Sequence, residues 1–366
     1  MKVIIVGGGV MGLSVALELR RSGDFEVLVL ERAIPGAEAS SAAAGMLAPQ
    51  FEAEKPGPML DLCLLSRMAW PAYARELEAA SGVPVNYLPS GGLQVAFSED
   101  ELSALSARVD WHRAMNLRAE LLTGASLRAL EPTLSERALA AAHFPDDHQV
   151  QPRSLVRALQ VAASRAGVTF RSGTVRGLLE RQGRVCGVDL DGARLESELV
   201  VLAAGAWSGL VAGAEVDAGR IKPVRGQMLE LQLRAPCFSH LLKSPRGYVV
   251  PRADGAVVVG STMEMVGFDK QVTAEGLGRL LSAAVELVPA LGQASVTSSW
   301  AGLRPWTDDQ LPFLGAGPRD GLLLATGHFR NGILLAPITG RLLGQLARGE
   351  RPTIDLHPFR YARNSP

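Results

Sequence analysis

The sequence predicts a mixed α/β protein in which a domain built on a parallel sheet is interwoven with a domain built on an antiparallel sheet. Three observations predict this class. A glycine-rich turn near the N-terminus joins a β-branched strand to a helix. The order of strand, polar turn and helix returns near the C-terminus, and short alternating strands with a hairpin signal lie between. Because these segment types alternate along the chain, each domain is expected to use several segments.

Composition limits the partners that the chain is expected to have. The 366 residues are 47% hydrophobic and 20% charged, enough for a large core divided between two domains. Lysine plus arginine and aspartate plus glutamate each number 37, so the formal net charge is zero. Without a basic field, neither nucleic acid nor an anionic membrane is an expected partner.

The cysteines and the apolar stretches favour a soluble cytoplasmic protein. Cys63, Cys186 and Cys237 lie far apart, without metal-ligand spacing or a disulfide framework. We expect them to be small buried residues in a reducing compartment, and we predict no metal. The apolar N-terminus is broken by glycines and lacks a signal-peptide cleavage pattern. The longest apolar stretch, 199–216, suits a strand, a turn and a helix better than a membrane span.

The most informative motif lies in residues 2–31, KVIIVGGGVMGLSVALELRRSGDFEVLVLE. A short strand leads into G-x-G-x-x-G, formed by Gly7, Gly9 and Gly12, and a helix ending at Gly23 follows. Gly7 permits the turn, Gly9 lets the backbone approach a pyrophosphate, and Gly12 lets the helix pack on the strand. The helix N-terminus supplies N–H groups and a positive dipole end. This is the pattern of a Rossmann-like dinucleotide-binding domain.

The end of the next strand indicates which dinucleotides are suitable. Glu31 can accept hydrogen bonds from an adenosine ribose, and its charge disfavours the 2′-phosphate of NADP. FAD and NAD both fit. The late strand VVLAAGAWSG, residues 200–209, runs into small residues as in many flavoproteins, although an ordinary buried strand explains it equally well.

The rest of the chain reads as a sequence of alternating elements. Helices are predicted at 59–82, from the Ser98 cap to about Glu131, and at 273–291, and the stretch 145–167 is predicted to be a loop followed by a helix that ends at Gly167. Short strands are predicted between 168 and 205 and from 221 onward, with a hairpin at Asp254-Gly255. The predicted cofactor domain comprises 1–86, 145–220 and 299–366, and the predicted substrate domain comprises 87–144 and 221–298.

Arg304 lies in an apolar run, SSWAGLRPWTDDQLPFLG. Because charged residues are rarely buried unless paired, an anion is expected beside it. An arginine fork matches a carboxylate with two hydrogen bonds, so a substrate carboxylate is one candidate. A salt bridge to Asp308 or Asp309 is the alternative.

The chain resembles the D-amino-acid oxidase family of flavoproteins, and within it the glycine oxidases of the thiazole branch of thiamine synthesis. The resemblance covers essentially the whole chain. It is carried by VIIVGGGVMG, SSAAAGMLAP (40–49), AGLRPWTDDQLPFLG and GHFRNGILLAP (327–337). The first motif is common among flavoproteins, whereas the combination of the other three is much narrower.

The motif and the resemblance together imply FAD as the cofactor. Glu31 and Arg32 would lie at the ribose, and the loop from His328 onward would enclose the pyrimidine side of the flavin. The predicted cofactor-binding residues are Gly7, Gly9, Val10, Met11, Gly12, Glu31, Arg32, Ala39, Ser40, Ala44, Gly45, Met46, Val175, His328, Phe329, Arg330, Asn331, Gly332, Ile333 and Leu334. No cysteine lies near 303–307, where the sarcosine oxidase relatives attach their flavin, so non-covalent FAD is predicted.

The resemblance also implies a substrate site and a reaction. Arg304 would pair with the substrate carboxylate, Tyr248 would assist, and Arg330 and Met263 would line the pocket. The hypothesis is hydride transfer from glycine, sarcosine or a small D-amino acid to flavin N5. The products would be an imine or 2-oxo acid, ammonia and, with O2, H2O2. A homotetramer is implied.

The sequence does not decide the roles of two features, or between this function and three alternatives. Arg246 occupies a position at which a glycine oxidase of this family has histidine. A second cation there would favour a different or longer substrate. The segment 51–60 could act as a mobile lid. The alternatives are a D-amino-acid dehydrogenase or sarcosine-type oxidase, an NAD-dependent dehydrogenase, and a non-catalytic flavoprotein scaffold.

Overall fold

The computed structural model describes residues 1–217 and 219–364. Its first large sheet has six strands, of which all but one edge strand, the first in the order below, run parallel. In order across the sheet they are β18 (Phe313–Ala316), β19 (Leu322–Thr326), β12 (Leu199–Leu202), β1 (Lys2–Val6), β2 (Glu26–Glu31) and β8 (Thr169–Ser172). The β-branched and leucine residues of the central strands are buried on both faces, as parallel sheets require.

Helices cover one face of this sheet and a small sheet covers the other. The helices are α1 (Val10–Ser22), α4 (Pro58–Ser81), α7 (Pro152–Arg165) and α9 (Gly332–Ala347). On the opposite side lie β9 (Val175–Arg181), β10 (Arg184–Leu190) and β11 (Ala193–Glu196). Helices α1 and α9 approach closely at Gly340, where an added Cβ would lie 2.9 Å from the Ser14 carbonyl oxygen.

The second large sheet has eight strands and is antiparallel except between its fifth and sixth strands, which run parallel. In order they are β17 (Ser295–Trp306), β13 (Lys222–Gln232), β16 (Ala256–Gly260), β15 (Gly247–Pro251), β14 (Leu241–Ser244), β4 (Gly92–Ala96), β6 (Ala140–Phe144) and β5 (Glu120–Thr123).

Alternation along these strands gives the sheet two different faces. Leu242 and Val249 belong to the core that includes residues of α8 (Ala274–Leu287) and α6 (Gly124–Leu130). Tyr248, Met228 and Trp300 lie on the other face, whose core includes residues of α5 (Glu99–Ala114).

Short elements connect the two sheets. They are β3 (Met46–Leu47), which pairs with β7 (His148–Gln149), together with α2 (Ala39–Ala42), α3 (Pro49–Glu52) and the 3₁₀ helices Gly205–Leu210, Pro289–Gln293, His357–Phe359 and Tyr361–Asn364. Residues of α3 pack into the same core as Tyr248, so this short helix covers the face of the second sheet that carries Tyr248.

The predicted α/β fold class is confirmed, with one local error. The helix expected to continue to about Glu131 ends at Ala114, and β5 intervenes before α6. Asn116 has a φ of 59°, which no helix accommodates, and β5 completes the edge of the second sheet through pairing with β6. Tertiary pairing therefore overrode a helical pattern.

The predicted domain bounds remain a prediction. The boundary at 298/299 falls inside β17, which stays paired with β13 as far as Trp306. Cys63 is buried as expected, whereas Cys186 and Cys237 are only partly buried. Within 1–217 and 219–364, no helix is long and apolar enough to cross a membrane, and no group of His, Cys, Asp and Glu could hold a metal ion.

Candidate active site

A cavity of about 580 Å³ lies between the two large sheets. Its lining includes the carboxyl ends of β1, β2, β12 and β19, the position at which open parallel sheets bind ligands. It also includes Tyr248, Met263, Arg304 and Arg330. All the predicted cofactor-binding residues line it except Gly12 and Leu334. The structure therefore brings both predicted sets of residues to one cavity.

The glycine turn forms one end of the cavity. Gly7 has a φ of 107°, and a Cβ on Gly12 would lie 2.0 Å from the Gly7 carbonyl oxygen. Gly12 thus packs helix against turn, although it does not line the cavity. A Cβ on Gly9 would meet only the Ser40 hydroxyl, at 3.2 Å, and this hydroxyl accepts the Val10 N–H at 3.0 Å. The turn therefore leaves room for a close ligand approach at Gly9.

Glu31 and Arg32 are both engaged at this end. Glu31 accepts hydrogen bonds from the Gly8 N–H at 2.8 Å and from the Ala33 N–H at 3.2 Å. Arg32 stacks its guanidinium 3.8 Å from the Trp207 ring centre and also binds Glu38. Trp207 lines the cavity but was missed in the sequence, although it lies in the quoted stretch VVLAAGAWSG.

The loop before α9 supplies the middle of the cavity. His328 is 2% exposed, its Nε2 lies 3.1 Å from the Thr339 hydroxyl, and its buried Nδ1 has no partner among the described residues. Burial lowers the pKa of His328 to about 3, so the ring is neutral at pH 7. Gly332 and Ile333, in the first turn of α9, line the cavity. Leu334 instead points into the core, and its carbonyl accepts bonds from α4.

These features fit FAD. The glycine turn leaves space for a pyrophosphate, and the α9 N-terminus and the orphaned imidazole nitrogen offer polar groups farther along the cavity. None of the three cysteines, which all lie in the described ranges, lines the cavity.

Arg304 lies at the other end of the cavity and is half-buried. Its Nη2 donates to the Ser261 hydroxyl at 2.6 Å, and its Nη1 donates to the Thr262 carbonyl at 3.2 Å. Burial lowers the pKa of this guanidinium. Across the part of the chain that the structure describes, no carboxylate lies within salt-bridge distance of Arg304.

The alternative of an internal salt bridge to Arg304 is therefore wrong. Asp308 is bound by Lys222 at 3.0 Å, and Asp309 is bound by Arg363 at 2.7 Å. Both carboxylates follow the end of β17, where alternation and the next turn carry them away from the cavity.

Two glycines make space for Arg304 and Tyr248, which together we call the clamp. A Cβ on Gly226 would lie 2.1 Å from Nη1 of Arg304, and a Cβ on Gly260 would lie 2.4 Å from the ring of Tyr248. Both glycines are on strands adjacent to the side chain that they admit. Burial raises the pKa of Tyr248, so its phenol stays protonated and can donate a hydrogen bond.

Charged side chains missed in the sequence lie between the clamp and the cavity mouth. Glu52 is bound by Lys243 and by Arg330, each at 3.3 Å. Arg330 also contacts the Met263 sulfur at 3.3 Å. Burial alone would raise the pKa of Glu52, but the two cations lower it below its usual value, so Glu52 is ionised.

A buried polar network fixes α3, which carries Glu52. Asp147 accepts the Phe51 N–H at 2.8 Å and is paired with Arg67 at 3.0 Å. Arg108 donates to the Phe51 carbonyl at 2.9 Å, and Phe51 itself is fully buried. The first two residues of the 51–60 segment therefore lie in a fixed helix, and the lid over 51–60 stays a prediction.

Arg246 lies at the cavity mouth, with 58% of its side chain exposed. Its guanidinium is bound by Glu286, on α8, and is thereby turned away from the clamp. Lys243, with 21% of its side chain exposed, is the additional cation inside the cavity. Both residues line the cavity, and the effect of Arg246 on substrate choice stays a prediction.

Comparison with known proteins identifies the family. The family described as FAD dependent oxidoreductase matches residues 2–346. A bifunctional protein ThiO/ThiG from Synechocystis sp. is 39% identical over 98% of this chain, which spans about half (53%) of that relative. A glycine oxidase from Geobacillus kaustophilus is 36% identical over 99% of this chain and 97% of its own length.

Comparison with solved structures points to the same family as the sequence relatives. The crystal structure of glycine oxidase from Geobacillus kaustophilus superposes with a TM-score of 0.94 at 35% identity, covering 100% of this chain and 99% of that chain. A family match across nearly the whole chain, together with a cavity that fits FAD, leads to one conclusion: the chain belongs to the FAD-dependent oxidoreductases and is similar to the glycine oxidases.

Proposed function

We propose that this protein oxidises the amine of small amino acids such as glycine, sarcosine and small D-amino acids. The observation that carries the proposal is Arg304, a half-buried guanidinium without a carboxylate partner in the described chain, at the far end of a cavity that fits FAD. For a primary amine, the overall reaction is amino acid plus O2 plus water giving 2-oxo acid, ammonia and H2O2. The glycine oxidase relatives support this choice of substrate.

When bound, FAD supplies a two-electron acceptor that O2 can reoxidise. Arg304 binds the substrate carboxylate with its two terminal nitrogens, and Tyr248 donates a further hydrogen bond. The clamp fixes the direction of the α C–H bond, and orientation of this kind contributes much of the rate. The Ser261 hydroxyl and the Thr262 carbonyl hold the guanidinium in place before substrate arrives.

The charges around the substrate also select its protonation state. Arg304, Arg330 and Lys243 outnumber Glu52 at this end of the cavity. In the free site this excess of positive charge disfavours the entry of an ammonium group, so the substrate amine binds in its neutral form. No side chain is then required as a general base, and we assign none; His328 is neutral and its Nε2 is hydrogen-bonded to the Thr339 hydroxyl.

Several further features belong to this proposal. FAD would be bound without a covalent link, since no cysteine lines the cavity. By resemblance the protein would be a cytoplasmic homotetramer that supplies the thiazole branch of thiamine synthesis. Acid or organic denaturation should release all the yellow colour, and colour that stays with the precipitate would contradict the non-covalent assignment.

The decisive experiment is the visible spectrum of the purified, FAD-loaded protein during anaerobic addition of glycine, followed by air. Bleaching and then recovery of the flavin bands would support an oxidase. Bleaching without recovery in air would indicate a dehydrogenase with another acceptor. Bands that no glycine, sarcosine or D-alanine bleaches would overturn amino-acid oxidation.

A further inference from the structure

The geometry points to a narrower substrate class, and we propose that the preferred substrates carry a second carboxylate. In this arrangement Arg304 binds the α-carboxylate, and Lys243 with Arg330 binds the second one. The inference rests on the proposed function, since it concerns the same cavity. It adds a specificity site that has two cationic side chains and is distinct from the clamp.

The strand register places Lys243 beside the clamp. Lys243 on β14 is directly opposite Tyr248 on β15, so both side chains project from the same face of the sheet. Tyr248 is opposite Gly260, which is in turn opposite Met228. Lys243, Tyr248 and Met228 all line the cavity. A substrate held at Arg304 and Tyr248 therefore extends toward Lys243.

The charge balance leaves a place for another anion. Arg304, Arg330 and Lys243 are countered by Glu52, and Arg246 is already bound by Glu286. One substrate carboxylate leaves an excess positive charge in a partly buried space, which is unfavourable. Burial lowers the pKa of Arg304, and the positive charge of Arg330 lowers it further, so the two cations are close enough to interact. A second carboxylate removes the excess.

Glu52 shows that the two cations can bind a carboxylate together. Its Oε1 lies 3.3 Å from Lys243, and its Oε2 lies 3.3 Å from Arg330. Both distances exceed the roughly 2.7–2.9 Å of a strong charge-assisted bond, so neither cation is fully committed to Glu52. Lys243 has three donors, and the structure gives it partners at Glu52 and at the Phe51 carbonyl. Arg330 has 41% of its side chain exposed, so it can turn toward a ligand.

Matched substrate pairs test the proposal. D-Aspartate is compared with D-asparagine, and iminodiacetate with its monoamide, because each pair differs in charge but hardly in shape. The FAD-loaded enzyme is expected to show kcat/KM at least about tenfold higher for the acid than for the amide in at least one pair. Amides used as well as or better than the acids in both pairs would overturn the inference.

Two substitutions should shift this preference in opposite directions. Lys243→Gln should lower the acid-to-amide ratio about tenfold, mainly through KM for the acid, since it removes a ground-state contact. Glu52→Gln should raise the ratio, since it removes the competing carboxylate. Lys222→Gln, which removes a lysine paired with Asp308 outside the cavity, is the matched control. A merely structural role for Lys243 would lower acid and amide turnover alike.

These assays distinguish a failure of the second-carboxylate site from a failure of the proposed amino-acid oxidation. If glycine, sarcosine and all four test compounds leave the flavin oxidised, the proposed function fails. If glycine or sarcosine is oxidised and neither acid is favoured over its amide, only the second-carboxylate site fails. If Lys243→Gln fails to fold with FAD, Glu52→Gln still tests the inference: a raised acid-to-amide ratio supports the second-carboxylate site, and an unchanged or lowered ratio contradicts it.

Discussion

The two ends of the cavity are built in different ways. The cradle end, at the glycine turn and Glu31, comes mostly from one continuous segment and presents backbone groups. The clamp end comes from side chains of β14, β15, β17 and α3, which are distant in sequence. The cradle needs glycines so that a ligand can approach the main chain. The clamp needs Gly226 and Gly260 so that large side chains can occupy the space. The same residue type thus admits a ligand at one end and the protein's own side chains at the other.

Removing the clamp's charge should produce the largest effect. Arg304→Ala should lower kcat/KM for glycine about 1,000-fold, or about 4 kcal/mol, because a buried carboxylate would lose its ionic partner. Steady-state oxygen consumption measures this change. Arg194→Ala, on the exposed strand β11, is the control. Turnover within a few-fold of the parent enzyme would show that the substrate carboxylate binds elsewhere.

Filling the space behind the clamp should be the next largest change. Gly226→Ala should lower kcat/KM about 100-fold, because the new Cβ would occupy the position of the Arg304 guanidinium and misplace it. The same assay at several glycine concentrations measures it. Gly278→Ala, where a Cβ meets nothing within 4 Å, provides the matched control. An equal decrease in kcat/KM for Gly226→Ala and Gly278→Ala would show that Gly226 is not needed to position Arg304.

Between the two ends, His328 should make stability depend on pH. Its pKa is lowered to about 3 in the folded protein from a usual 6.5, so below pH 6.5 the unfolded chain binds a proton that the folded chain does not. Stability is therefore lost as the pH falls through this window. Between pH 7 and pH 5 the loss from this group is about 2 kcal/mol.

Urea unfolding of the FAD-free protein at the two pH values measures this dependence. His328→Gln should remove about 2 kcal/mol of the pH-dependent loss while other histidines contribute equally in both proteins. Identical pH slopes for parent and variant would mean that His328 is already protonated or accessible in the folded state.

The smallest expected effect is at the cradle. Glu31→Gln should weaken FAD binding about tenfold, because the neutral amide is a poorer acceptor for the ribose and for the Gly8 N–H. Quenching of flavin fluorescence during titration gives the Kd. A loss of affinity above 1,000-fold would show that the cradle depends on side-chain charge as much as the clamp does, and would erase the distinction between the two ends.

The sequence was informative where neighbouring residues act together. The turn at Gly7 to Gly12, the strand ending at Glu31 and the helix after it are local, so their spacing alone predicts the cradle. Arg304 was also recognisable, because an arginine in an apolar run requires an anion. The sequence alone left an ion pair with Asp308 or Asp309 as an alternative, whereas the structure pairs these carboxylates with Lys222 and Arg363.

What sequence reasoning missed depends on contacts between distant segments. Lys243 becomes part of the cavity only through its pairing with Tyr248, and Glu52 only because Asp147 and Arg108 fix α3. No local pattern marks either residue. The strand after Asn116 was likewise read as helix, since its structure is decided by its partner β6 rather than by its own composition.

The alternation of β14 and β15 has a consequence for changing the substrate. Lys243 and Tyr248 face the cavity, whereas their neighbours Leu242 and Val249 lie in the core beside α8. A combinatorial library confined to the cavity-facing positions would vary recognition and leave untouched the packing that folds the domain. Duplicated genes for such a protein can diverge in substrate preference while keeping the same fold, because the cavity-facing residues of each strand can change without changing the core-facing ones.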